Sequence, residues 1–292
     1  MNARAWQDIG RTSPQAEHSP RLVTLIVTTT SAAPVPPRRS LAPREHGAYG
    51  QLGVPLVAGL ASTTPTLPAI GLAIGAVATF LAHEPLLVLI GQRGAKARKQ
   101  DGPRAAKRLR ILAAVAIVCG GLGLVGAPTI VRIGAIPPIV LGVVVGWFVW
   151  RKEEKTTLGE VIAAMALSGA AFPVALASGI AVFDAALVWF VWTIAFGIAT
   201  VAVRAVIARA KDEGPLPVML AYVVTIGALV SSVGLALVNQ LPSAVPIALL
   251  PFELLGLGVL VADVHTKHLR RVGWGLVASS LLTGVFVVTM FR

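Results

Sequence analysis

Long apolar stretches alternate with short polar joints from about residue 40 onward, and the length of those stretches predicts the architecture. A helix crossing a bilayer core needs roughly 20 apolar residues, within a range of about 17–25. By that measure about nine stretches stand out, at residues 46–64, 66–90, 111–126, 130–150, 158–178, 182–208, 215–238, 242–263 and 272–291. The third is short and meets the fourth through a tight, proline-containing turn. The expected fold is all-α, a polytopic transmembrane helical bundle of about nine helices filling residues 41–292.

The charges between the stretches follow an alternation. Lys and Arg gather in cytoplasmic connections of membrane proteins. Here Arg38, Arg39 and Arg44 precede the first stretch, and eight cations from Arg93 to Arg110 follow the second. Arg151, Lys152 and Lys155 follow the fourth, Arg204, Arg209 and Lys211 mark the end of the sixth, and Lys267, Arg270 and Arg271 follow the eighth. The intervening connections offer Arg132 and almost nothing else. This pattern predicts an N-terminus inside and a C-terminus outside a cytoplasmic (inner) membrane. Residues 1–40 are rich in Ser, Thr, Pro and Arg, and read as a disordered cytoplasmic tail.

Composition agrees and removes some classes. The 292 residues are 55% hydrophobic and only 13% charged, with mean hydropathy +0.79. A soluble domain usually carries about 25% charged residues, so the main solvent of this chain is lipid. The net charge of +12 lies between apolar segments, which fits a membrane surface and not nucleic acid. Cys119 alone excludes an internal disulfide. No nucleotide loop, zinc-protease helix or serine-hydrolase elbow is present.

Ionisable side chains within spans are expensive and usually face a bundle interior or a water-filled cavity. Arg44, Glu45 and His46 open the first stretch. His83 and Glu84 lie six residues before the second ends, roughly 9 Å inward. Glu160 begins the fifth, Arg204 is near the end of the sixth, and Asp263, His265 and His268 close the eighth. All belong to the basic end, so a compact bundle would converge them on one cytoplasm-facing cavity. His83 and Glu84 are the candidate acid/base groups; Glu45, His46, Arg93, Glu160 and Arg204 are candidate ligand-binding groups. The bland alternatives are snorkelling for Glu160 and Arg204 and helix-dipole placement for Glu45. His265 and His268 share a face but have no third partner for a metal. Glu253, near mid-membrane and preceded by Pro246 and Pro251, is a candidate proton relay or a structural hydrogen-bonding group. Gly71-x-x-x-Gly75 and Gly47-x-x-Gly50-x-x-Gly53 read as close helix-packing stripes.

The run Pro43-Arg44-Glu45-His46-Gly47-Ala48-Tyr49, the His83-Glu84-Pro85 segment, residues 151–160, the Arg204 region and Arg271-Val272-Gly273-Trp274 resemble the bacterial YwiC-like membrane proteins. That family implies an architecture without an assigned activity. More distantly, polar clusters after the second and sixth of nine spans resemble the UbiA-type intramembrane prenyltransferases. Aspartate-rich motifs at those two places hold magnesium and an isoprenoid diphosphate in that family, which would make Mg²⁺ the implied cofactor and a UbiA-like arrangement the implied bundle. Neither cluster here has the aspartate pattern.

The leading expectation is therefore binding of an anionic, isoprenoid-diphosphate-like amphiphile, with prenyl transfer as an extension of it. The alternatives are a proton-coupled secondary transporter and a non-catalytic subunit or assembly partner of a membrane complex. The bilayer is the partner the sequence implies, and oligomeric state is left open.

Overall fold

The computed structural model describes residues 40–43 and 46–290, with only the backbone of His46. The polar segment 1–39, with Arg44 and Glu45, lies outside the described residues, as does the side chain of His46. The described part falls within one compact unit, Ser40–Arg292.

Nine helices follow one another among the described residues, with no strands: α1 (His46–Ala61), then α2 (Leu67–Leu89), α3 (Ala95–Val125), α4 (Thr129–Arg151), α5 (Thr157–Ala177), α6 (Val182–Lys211), α7 (Leu216–Leu237), α8 (Ala244–Val261) and α9 (Thr266–Met290). Eight are long and apolar enough to cross a membrane. The shorter α1 has 16 residues, about 24 Å of helix. It stops before residue 64 because Ser62-Thr63-Thr64-Pro65 breaks it. Thr63 and Thr66 instead donate their hydroxyls to the carbonyls of Ser178 and Ala177, each at 2.7 Å.

The basic segment after α2 differs from its expected form. It is the first half of α3 and not a loop. Alanines and long straight side chains favour helix, and Ala97, Asp101 and Ala105 recur every fourth residue as its buried face. That face packs on α2, and the cations project away from it. Farther along, α3 widens into a π-turn at Ala116–Gly120, where it presses most closely on α2. A Cβ on Gly71 would stand 2.7 Å from the Cys119 carbonyl oxygen, and one on Gly75 2.8 Å from Gly120 Cα. Gly47, Gly50 and Gly53 are different, for a Cβ on any of them meets nothing within 4 Å. They form no packing stripe.

Polar bonds tie alternate connections together. Gln92 Nε2, after α2, donates to the Val149 carbonyl at the end of α4. Arg204 on α6 reaches the α4–α5 connection at Lys155, and Arg209 pairs with Asp263 after α8 at 3.1 Å. These four basic connections therefore share one end of the bundle. The opposite end holds the Thr63 and Thr66 bonds. Between the ends, α6 packs against α5, α7 and α8, while α1 lies against α5 and α9. Trp192 is fully buried on α6, stacked on Phe196, which meets Phe252 of α8 edge-on.

Candidate functional site

A cavity of about 1130 Å³ opens among α1 to α6, with Leu276 of α9 also on its wall. Its deeper wall is apolar, with Leu52, Leu72, Phe80, Ile117, Ile139 and Phe148. Its polar wall carries His83, Glu84, Arg93, Lys155 and Glu160. Ligand cavities usually combine such a predominantly apolar surface with a few placed polar groups.

The Glu84 carboxylate is fully buried, and α2 alone would leave it without a partner. Helix α2 ends at Leu89, and Gly91 and Gly94 adopt φ of +82° and +93°, a left-handed conformation that glycine enters without penalty. The chain thereby doubles back and brings Arg93 onto Glu84. Arg93 Nε donates to Oε1 at 3.0 Å, and one Nη donates to Oε2 at 2.5 Å. This is the bidentate fork that guanidinium and carboxylate geometry favour. The Arg93 side chain is 23% exposed, so the pair bridges the protein interior and the cavity.

A second fork lies on the α5 side. Thr156 caps α5 by accepting from Gly159 N at 3.1 Å, which sets Glu160 in the first turn, where an acidic group suits the helix dipole. Arg204 Nε donates to Glu160 Oε2 at 2.8 Å, and an Nη approaches Oε1 at 2.7 Å. The same Nη reaches the Lys155 carbonyl. Glu160 lines the cavity, whereas Arg204 sits beside it without contributing to the lining.

The structure therefore brings His83, Glu84, Arg93 and Glu160 to one cavity, with Arg204 holding Glu160. Glu45 and the His46 side chain lie outside the described residues. Glu253 lies elsewhere, buried on α8. Lys155 and Glu154 also line the cavity, although the sequence presented them only as parts of a charged joint. Their place immediately before the Thr156 cap was the available signal.

Magnesium prefers several carboxylate or phosphate oxygens in octahedral array. Among the described residues no three His, Cys, Asp or Glu side chains gather to hold a metal. Both carboxylates of the cavity forks are already committed to guanidinium groups. The residues do not fit the magnesium site that the prenyltransferase resemblance implies.

No curated protein and no solved structure matches this chain. The family model described as YwiC-like protein matches residues 42–175, a stretch that includes Glu84, Arg93 and Glu160.

Proposed function

We propose that this integral membrane protein binds an anionic amphiphile in the cavity, its head at the polar wall and its tail along the apolar one. The observation that carries this reading is the union of both surfaces in a single cavity of about 1130 Å³. A guanidinium has five N–H donors, and the Glu84 fork engages Nε and one Nη of Arg93. Arg93 thus retains donor capacity for a phosphate or carboxylate head, with Lys155 as a second cation on the same lining. Glu84 acts by orienting Arg93. Arg204 steadies Glu160 and the Lys155 backbone, and His83 supplies a further polar group. The alternation of basic connections supports a cytoplasm-facing mouth in a bacterial inner membrane. Metal-dependent prenyl transfer is not part of the proposal, because the donor set does not fit magnesium.

The test is thermal stability of the purified protein with farnesyl diphosphate, with farnesol, and with either plus magnesium. Ligand at a hundred times its Kd stabilises by about 2.7 kcal/mol. The diphosphate should stabilise without magnesium, farnesol should do so less, and the gain should vanish in the paired variant Glu84→Gln/Arg93→Gln, which leaves no orphan charge. No gain from the diphosphate, or an equal gain in the paired variant, would overturn the reading. A gain that requires magnesium would return the metal-dependent alternative.

A further inference from the structure

A different carboxyl group, remote from this cavity, has no hydrogen-bond partner among the described residues. We propose that Glu253 anchors a second site that holds one monovalent cation, a proton or a sodium ion, within the helices α6–α9. Glu253 lies in the middle of α8 and is 1% exposed. Neither of its carboxylate oxygens has a hydrogen-bond partner among the described residues. Thr225 on α7 is fully buried, and its Oγ1 is likewise unpartnered. Thr225 meets α8 one turn from Glu253: a Cβ on Gly256 would stand 3.5 Å from Thr225 Oγ1. Buried Ser232, also on α7, faces the carboxyl, but its proton goes to the Leu229 carbonyl at 3.1 Å. The Thr225 hydroxyl can donate as well as accept, yet neither carboxylate oxygen of Glu253 has a hydrogen-bond partner among the described residues.

A bare carboxylate in such surroundings is too costly to persist, so a positive charge must complete the arrangement, and none of the described side chains supplies one. Helix α8 packs on α6, α7 and α9. The ionisable groups these helices carry are engaged or placed elsewhere. Arg204 pairs with Glu160 and Arg209 with Asp263. Tyr222 packs with Leu260, seven residues or about 10 Å along the helix. Asp184 is in the first turn of α6 and Lys211 in its last. Lys267, His268, Arg270 and Arg271 lie at the start of α9, well before Ser279, which is the residue that bonds the Pro251 carbonyl.

A single carboxylate with a hydroxyl oxygen suits a cation of charge one. Calcium requires six to eight oxygens, and magnesium retains several waters. Neither suits this enclosed donor set. The carbonyls nearby are also assigned, since Thr283 Oγ1 donates to Ala248 O at 2.7 Å and Ser279 Oγ to Pro251 O at 3.1 Å. The carboxyl remains as the ligand, with one α7 hydroxyl beside it, since Thr225 and Ser232 are seven residues, or about 10 Å, apart along α7.

The experiment uses the full chain in lipid nanodiscs treated with dicyclohexylcarbodiimide, an apolar reagent that modifies protonated carboxyls, with the modified residue located by peptide mass spectrometry. Modification at Glu253 that falls several-fold as pH rises and ignores sodium identifies a proton. Modification that sodium chloride suppresses several-fold, and choline chloride does not, identifies sodium. As a second readout, acid or sodium should raise the Tm of wild type more than that of Glu253→Gln, because a cation bound only by the folded state stabilises it. Lack of modification at Glu253 together with equal Tm responses in the two proteins would overturn the proposal. The labelling is read on wild type, so a variant that folds poorly does not obscure it.

Discussion

Glu84 and Glu253 are buried alike, at 0% and 1% exposure, and the chain treats them in opposite ways. Glu84 receives a bidentate arginine; Glu253 receives no hydrogen-bond partner among the described residues. Depth explains the difference. Glu84 is five residues from the end of α2 at Leu89, about 7.5 Å, and an arginine in the following turn can reach back to it. Glu253 is nine residues from the start of α8 and eight from its end, at least about 12 Å from any connection. A loop cation cannot cover that distance, and a cation planted on a neighbouring span would carry its own desolvation cost. Near the polar end the protein neutralises a buried carboxylate with an arginine of its own sequence. At mid-membrane it leaves that task to something that binds.

Removing one partner should therefore do most harm where the pair is built in. Arg93→Gln leaves the Glu84 carboxylate buried and alone, and breaking such a pair costs on the order of 3–5 kcal/mol. Exposure of Arg93 at 23% places the expected loss near the lower figure, about 3 kcal/mol. The paired variant Glu84→Gln/Arg93→Gln should regain more than half of it, because no charge is stranded. Reversible unfolding of the purified protein in mixed detergent measures both. Equal losses in the single and paired variants would show that Arg93 acts by packing and not by neutralising Glu84.

The next largest effect concerns the seam on which the Glu84–Arg93 turn is mounted. Gly75→Ala would force a Cβ to within 2.8 Å of Gly120 Cα and 3.0 Å of its nitrogen. Backbone cannot rotate aside as a side chain can, so α3 must shift from α2, with overpacking worth about 1–3 kcal/mol. The same unfolding assay should show Gly47→Ala neutral or slightly stabilising, since its Cβ meets nothing within 4 Å and alanine is the better helix former. A Gly75→Ala protein as stable as wild type would mean that the α2–α3 seam yields easily and does not hold the turn in place.

These contrasts also mark what the sequence could convey. Hydropathy and length placed the spans, since both properties are local. The glycine stripes looked alike in sequence, but Gly71 and Gly75 meet backbone while Gly47, Gly50 and Gly53 do not, because only the facing helix decides. The first half of α3 carried a readable signal in Ala97, Asp101 and Ala105, masked by the density of charge around them. Glu84, Arg93, Glu160 and Arg204 were each legible as costly polar groups, but their pairing was not. One pair depends on two glycines with positive φ, and the other joins residues 44 apart in sequence. The isolation of Glu253 was the least accessible, since the lack of a partner depends on everything packed around it.

The smallest effect separates the two carboxylates most clearly. Glu253→Gln removes an ionisable group but keeps the shape and adds N–H donors, which Thr225 Oγ1, unpartnered in the wild type, can accept. If a cation already neutralises Glu253, exchanging that neutral arrangement for a neutral amide should change stability by less than about 1 kcal/mol. The measurement belongs at neutral pH in sodium-containing buffer, beside Arg93→Gln under identical conditions. A loss as large as that of Arg93→Gln would show that the carboxylate makes an essential bond within the protein, and the contrast between the two regions would fail. A clear gain in stability would show instead that wild type carries an uncompensated charge, held at a cost that only a functional requirement for titration or ion binding would maintain.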